Sequence, residues 1–217
     1  VTETYEHLEQ SQRQTRKIVN HERLWQKLTP VAQVDGLIAE RLQDFCERKQ
    51  ISLDSLSALG ARIHTQKNGS YELAYAGTNG NGAITAIKYR PIEGSSHKSR
   101  AETPSTWLRP IIIGDTTSLD WLIAEGETDG ARLYDLIGDR CTIMVLPAGA
   151  RTFKREWADL IPRWARVGLC HDADPDGDQG AERVALMLGG RVVRVRPPDD
   201  QDWGSWQGDR DAFITIL

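Results

Sequence analysis

The sequence holds only three cysteines, Cys46, Cys141 and Cys170, with no Cys-x-x-Cys pair, so neither a disulfide framework nor a structural zinc ribbon is encoded. No apolar run approaches the ~20 residues of a membrane helix, and the polar start lacks a charged-then-apolar signal pattern. A cytoplasmic protein without a membrane partner is therefore expected. No Gly-Lys-Ser/Thr phosphate loop is present, which excludes a nucleotide-driven motor in these residues. The formal charge is −4, but its distribution says more than its sum. Acid gathers in two clusters and in 199–211. Cations gather at 88–109 and at Arg151, Lys154, Arg155, Arg163 and Arg166, where a solvated surface explains the second group as well as a ligand does. With 39% hydrophobic residues in 217, the chain can fill one large or two small cores.

Each acidic cluster directly follows a short apolar run. Trp121-Leu122-Ile123-Ala124 leads into Glu125-Gly126-Glu127-Thr128-Asp129, and Val167-Gly168-Leu169-Cys170 leads into His171-Asp172-Ala173-Asp174-Pro175-Asp176-Gly177-Asp178. Such runs read as buried strands, and in a parallel sheet the loops at the carboxyl ends of the strands share one edge, where ligands bind. Carboxylates distant in sequence then converge. Hard cations such as Mg²⁺ or Mn²⁺ take oxygen ligands, and two acidic loops at one edge can supply them for phosphate chemistry.

The elements around the clusters alternate as an α/β domain over about 119–217. A strand at Leu122–Ala124 is followed by a helix near Asp129–Leu136. Thr142–Leu146 is a second strand, and a helix within Phe153–Trp164 is interrupted or ended by Pro162. Val167–Cys170 is the third strand. A helix near Gln179–Leu188 stops at Gly189-Gly190, before a fourth strand at Arg191–Val195.

In this order, the Glu-Gly-x-x-Asp turn, Leu146-Pro147-Ala148-Gly149, Asp172-x-Asp174-x-x-Gly177 and the acidic Asp199-Asp200 resemble the Toprim domain of phage primase-helicases and bacterial DNA primases. The resemblance implies a Rossmann-like parallel sheet flanked by helices, in a phage or mobile-element replication setting. It also implies an RNA polymerase core that joins ribonucleoside triphosphates on a single-stranded DNA template by metal-dependent nucleotidyl transfer. Glu125 and Asp129 would be catalytic, and Glu125, Asp172, Asp174 and Asp200 would hold Mg²⁺ or Mn²⁺. Lys88, Arg90, Gly126 and Gly149 would bind substrate. Primases of this kind usually carry a zinc module that reads the template start, and its absence here implies a helicase or a separate template-recognition domain as partner.

Residues 31–118 resemble the small α+β subdomain that precedes Toprim in phage primase-helicases. Thr29-Pro30 reads as the start of a helix, after which Val31, Val34, Leu37, Ile38, Leu42 and Phe45 recur at helical spacing. Ser52 and Gly60 bracket a shorter helix. Ser70–Ala76 and Ala83–Arg90 flank Asn79-Gly80-Asn81-Gly82, whose Asn-Gly pairs suit the positive φ of a hairpin turn. Lys88 and Arg90, two apart, share a strand face, with Lys98, Arg100 and Arg109 nearby. Residues 1–30 are charged and read as a polar helical arm, because Leu8, Ile18 and Leu24 are too sparse for a core stripe.

Blander readings compete at several positions. Asp172–Asp178 partly fits a calcium loop, but Arg183 stands where a bidentate Glu is needed and a strand precedes it. His171 reads as a hydrogen-bonded neighbour more readily than as a base. Trp121, Trp157 and Trp164 read as core, and Trp203 and Trp206 as a packed lid. Two further functions use the same residues: a Toprim nuclease with water as nucleophile, and an inactive primase-like module that only binds single-stranded DNA for a replicative helicase.

Overall fold

The structure, a computed structural model, describes residues 19–93, 99–198 and 201–216. Lys98, Asp199, Asp200 and most of the expected N-terminal arm lie outside the described residues. The described end of that arm contains α1 (His21–Trp25), whose N-cap Asn20 accepts the Arg23 N–H at 2.9 Å. Trp25 and Leu28 then pack with Ala74, Ile87 and Tyr89, and Arg62 stacks over the Trp25 ring at 5.0 Å.

Thr29-Pro30 does not start the long helix; Pro30 caps only a single 3-10 turn, Val31–Gln33. Pro30 is extended at ψ 140°, and Thr29–Pro30 forms β1, paired antiparallel with β2 (Arg62–Thr65). The φ that proline fixes suits an extended strand as well as a helix, and pairing with β2 decides between them. The long helix, α2 (Gly36–Lys49), begins six residues after Pro30 and buries Leu42, Phe45 and Cys46. Ser52 caps the shorter α3 (Leu53–Ala58) as expected, its Oγ accepting the Ser55 N–H at 3.0 Å.

The hairpin pairs β3 (Tyr71–Thr78) with β4 (Ile84–Pro91), and β5 (Arg100–Ala101) completes a five-stranded sheet in the order β1-β2-β3-β4-β5. Its turn is longer than a two-residue type. Asn79 Oδ1 accepts the N–H groups of Asn81 and Ala83, and in this turn only Gly82 takes a positive φ.

The second sheet runs β10-β9-β7-β8-β6, comprising β6 (Ile111–Gly114), β7 (Asp120–Ala124), β8 (Thr142–Val145), β9 (Arg166–Cys170) and β10 (Val192–Arg194). Four of its strands are parallel, as expected for a Rossmann-like sheet. The edge strand β6 is antiparallel to β8 and makes the sheet mixed. Ile111–Gly114, expected in the first subdomain, therefore belongs to the second sheet. One face of this sheet carries α4 (Glu127–Ile137), where Gly130 lies so close to Val145 that a β-carbon would overlap its side chain. Leu122, Ala124, Leu133 and Ile143 on this face are continuous with Leu73, Tyr75 and Ile92 beneath the first sheet, so one core joins the two sheets.

The other face buries Trp121, Ile123, Met144, Phe153 and Trp157. Only α5 (Arg155–Ala158) is helical in the segment ended by Pro162, and Trp164 is 55% exposed rather than core. The chain leaves the helix before residue 164, so no continuing face carries that ring inward. The next helix, α6 (Pro175–Met187), begins four residues earlier than its apolar spacing suggested. Asp174 caps it, with Pro175 in the first turn. The tail then packs Trp203, Trp206 and α7 (Arg210–Ile216) on the core, with Trp203 5.1 Å from Phe213, as the lid reading expected.

Candidate active site

Register decides where the acidic turns meet. Ala124 at the end of β7 pairs with both Val145 of β8 and Cys170 of β9, so Glu125, Leu146–Gly149 and Asp172 leave the sheet at one edge. The Asp172 N–H donates to Glu125 Oε2 at 3.2 Å. Gly149, at φ 92°, brings bare backbone beside the same carboxylate, where a β-carbon would lie 3.9 Å from Glu125 Oε1. Gly126 is the N-cap of α4, and a β-carbon there would be 3.1 Å from Asp129 Oδ2.

A residue outside the sequence-based set completes the cluster. Asp202, in the tail after β10, stands close enough to raise the pKa of both Asp129 and Asp172. Gly204, two residues on, donates its N–H to Asp129 Oδ1 at 3.1 Å. Burial, then the charges of Asp129, Glu125, Asp202 and Asp174, pushes the Asp172 carboxyl up to about 8. Burial, then Asp202, pushes Asp129 up to about 7, against the opposing pull of Arg90 and the Gly204 N–H. Asp172 Oδ1 and Asp202 Oδ1 are buried without a hydrogen-bond partner. Such oxygens are rare and expensive unless a proton or a cation meets them. The signal for Asp202 was its place beside Asp199-Asp200 in an acidic stretch, but spacing alone did not rank it.

Asp174 is placed differently from Asp172. It is exposed, and its Oδ1 accepts the Gly177 N–H at 2.7 Å as the cap of α6. Among the described residues, no three Asp, Glu, His or Cys side chains gather at the spacing of a single ion. His171 is fully buried, its Nδ1 is 3.3 Å from the Gly177 carbonyl oxygen, and burial followed by Arg194 lowers its pKa to about 4. It is a neutral, packed imidazole, as the blander reading expected. Arg194, also missed, donates from β10 to the His171 and Asp172 carbonyl oxygens at 2.8 and 2.7 Å and so holds the acidic loop by its backbone.

On the hairpin side, Arg90 lies near enough to Asp129 to lower its pKa. Lys88 Nζ donates to Glu127 Oε2 at 2.6 Å and to the Pro147 carbonyl oxygen at 2.8 Å. The cations at 151–166 are dispersed: Arg151 pairs with Asp176, Arg166 with Asp120, and Lys154 donates to the Trp107 carbonyl oxygen. A cavity of about 360 Å³ opens at the opposite edge of the second sheet, lined by Asp120, Leu122, Ile137, Val195 and Ile214, and none of the acidic cluster lines it.

Solved structures share this architecture at low identity. A DnaG catalytic core superposes with a TM-score of 0.66 at 14% identity, covering 90% of this chain and 77% of that one. The fold is that of a primase catalytic core. A DnaG primase catalytic domain bound to ssDNA matches at 0.64 with 12% identity, covering 90% of this chain and 78% of that chain. The primase fragment of the bacteriophage T7 primase-helicase protein matches at 0.62 with 17% identity, covering 77% of this chain and 69% of that chain. No protein-family model matches the sequence, and no curated protein matches it significantly. Among the described residues no helix is long and apolar enough to cross a membrane.

Proposed function

We propose that this chain is the RNA polymerase core of a DNA primase, joining ribonucleotides on single-stranded DNA. The observation that carries the reading is the convergence of Glu125, Asp129, Asp172 and Asp202 at one strand edge of a primase-like fold. Orphaned, mutually repelling carboxylate oxygens fit a hard divalent cation. Mg²⁺ characteristically takes one or two carboxylates and completes its shell with water and phosphate, so a dedicated three-carboxylate cage is not required. Asp172 and Asp202 would hold it, with Glu125 and the free oxygen of Asp174 beside them. Asp200 lies outside the described residues, two positions before Asp202. The bound ion would neutralise triphosphate oxygens and make the attacking hydroxyl easier to deprotonate.

The chain's own groups do the rest. Asp129, held by the Gly204 N–H beside Glu125 and Asp202, would accept the proton of the attacking 3′-hydroxyl as that oxygen bonds to the α-phosphorus and pyrophosphate leaves. Glu125 is oriented by the Asp172 N–H and serves as ligand or second base. Gly126 and Gly149 let phosphate oxygens approach bare backbone, and Arg90 supplies positive charge beside Asp129.

Incubation with single-stranded DNA, ribonucleotides and Mg²⁺ or Mn²⁺, beside a nicked-plasmid assay, tests the reading. Short RNA products that vanish in Asp172→Asn support it. Cleavage without synthesis would replace it with the nuclease, and binding alone with the inactive module.

A further inference from the structure

The ion pair between Lys88 and Glu127 lies beside the acidic cluster but outside it. Glu127 opens α4 between Glu125 and Asp129 and is fully buried, with Lys88 of β4 on its Oε2. The Lys88 side chain is only 17% exposed, and it also holds the Pro147 carbonyl oxygen. Its charge is already matched, so it is poorly placed to neutralise a triphosphate.

The turns it touches are fixed locally only in part: the Gly149 carbonyl oxygen accepts the Thr152 N–H at 3.1 Å and the Thr152 hydroxyl at 2.8 Å. The N-cap of α4 is Gly126, which offers no side-chain cap, whereas Asp174 caps α6 with its own carboxylate. The turn after β8 passes through Gly149 at φ 92°. Lys88 ties both turns to the hairpin from outside.

We propose that Lys88 is a positioning residue: through Glu127 and the Pro147 carbonyl it fixes the Glu125–Asp129 and Pro147–Gly149 turns and sets the spacing of Glu125 from Asp172. The inference deepens the primase reading and rests on it for the site's chemistry. Simple electrostatics and a latch predict opposite signs. Deleting a cation beside an acidic cluster tightens cation binding, whereas deleting a latch spreads the carboxylates and weakens it.

Mn²⁺ affinity of the full chain, measured by electron paramagnetic resonance without nucleotide or DNA, reads that sign. Lys88→Met, for which the two accounts differ in sign, is expected to weaken Mn²⁺ binding about tenfold, or about 1.4 kcal/mol, and Glu127→Gln, for which both predict weakening, by a similar factor. The double variant should be no worse than the poorer single one, because the two residues act as one unit. Lys88→Arg should restore most of the affinity. The KM for nucleotide should move less than about threefold while kcat falls. If Lys88→Met does not fold, the double variant, in which no buried charge is left unpaired, carries the same comparison.

Tighter or unchanged Mn²⁺ binding in Lys88→Met, a raised KM with additive effects, or a wild-type chain that binds no Mn²⁺ would overturn the proposal. Because the metal readout needs no catalysis, a chain that makes no RNA but shows the expected Mn²⁺ pattern would sink the primase reading and leave the latch standing.

Discussion

Gly177→Ala sets two physical effects against each other. Gly177 lies in the first turn of α6, and helix propensity alone favours alanine there by about 1 kcal/mol. A β-carbon, however, would overlap the Asp172 carbonyl oxygen and lie 3.0 Å from both the carbonyl carbon and the amide nitrogen of Asp172. Those are backbone atoms and cannot rotate away. Overpacking costs about 1–3 kcal/mol, and an overlap with fixed backbone belongs at the upper end, so the net expectation is a loss of about 2 kcal/mol. In a chain of this size that lowers the midpoint of thermal unfolding by roughly 4–8 °C. The displaced backbone carries Asp172, and the Gly177 N–H that Asp174 accepts moves with it, so Mn²⁺ affinity should fall as well. Gly80→Ala is the control, since a β-carbon there meets nothing within 4 Å and no positive φ is required. Melting by circular dichroism together with Mn²⁺ titration checks both arms. A Gly177→Ala protein as stable as wild type, with unchanged Mn²⁺ affinity, would refute the close packing of α6 on the acidic loop.

The pH dependence of stability has a defined sign. Asp172 and Asp129 are raised to about 8 and about 7, above the ~3.9 of an unfolded aspartate, so the metal-free fold holds protons that the unfolded chain has released. Metal-free stability should fall as pH rises from about 4 to about 8, and a flat melting profile over that window would contradict the raised values. Asp172→Asn should flatten this fall and raise the melting temperature at pH 8 while abolishing synthesis; a variant that is active, or less stable at pH 8, counts against the arrangement. Asp202→Asn should lower the Asp129 pKa in the metal-free chain, read from the pH dependence of the Asp129 carboxyl carbon resonance, and an unchanged titration would place Asp202 outside the cluster. Arg90→Ala should raise the apparent nucleotide requirement at fixed metal by about tenfold, and unchanged nucleotide dependence would remove Arg90 from the site.

Much of the second sheet was legible because local rules govern it. Four-residue apolar runs ending in acidic turns mark parallel strands and their carboxyl ends, so the convergence of Glu125 and Asp172 follows from the sequence pattern. Asn79–Gly82 between alternating strands marked the hairpin, and Ser52 marked a cap. Asp174-Pro175 is an equally local signal for the start of α6, a cap and a first-turn proline that apolar periodicity does not register.

What the sequence by itself determined is the four parallel strands, the hairpin, the main helices around them and the edge where the acidic loops emerge, since backbone sterics and apolar period act over a few residues. Partner choice across tens of residues was decided only by the tertiary structure. Thr29-Pro30 is a strand because Arg62 and Ile63 lie opposite, β6 joins the second sheet because β8 offers an edge, and Trp164 is exposed because the chain turns at Pro162. Asp202 enters the acidic cluster because the tail folds back over α4, where Gly204 meets Asp129. Lys88 and Arg90 share a strand in sequence, yet one is bound to Glu127 and the other lies by Asp129, a division that sheet order and docking impose and that no spacing of residues encodes.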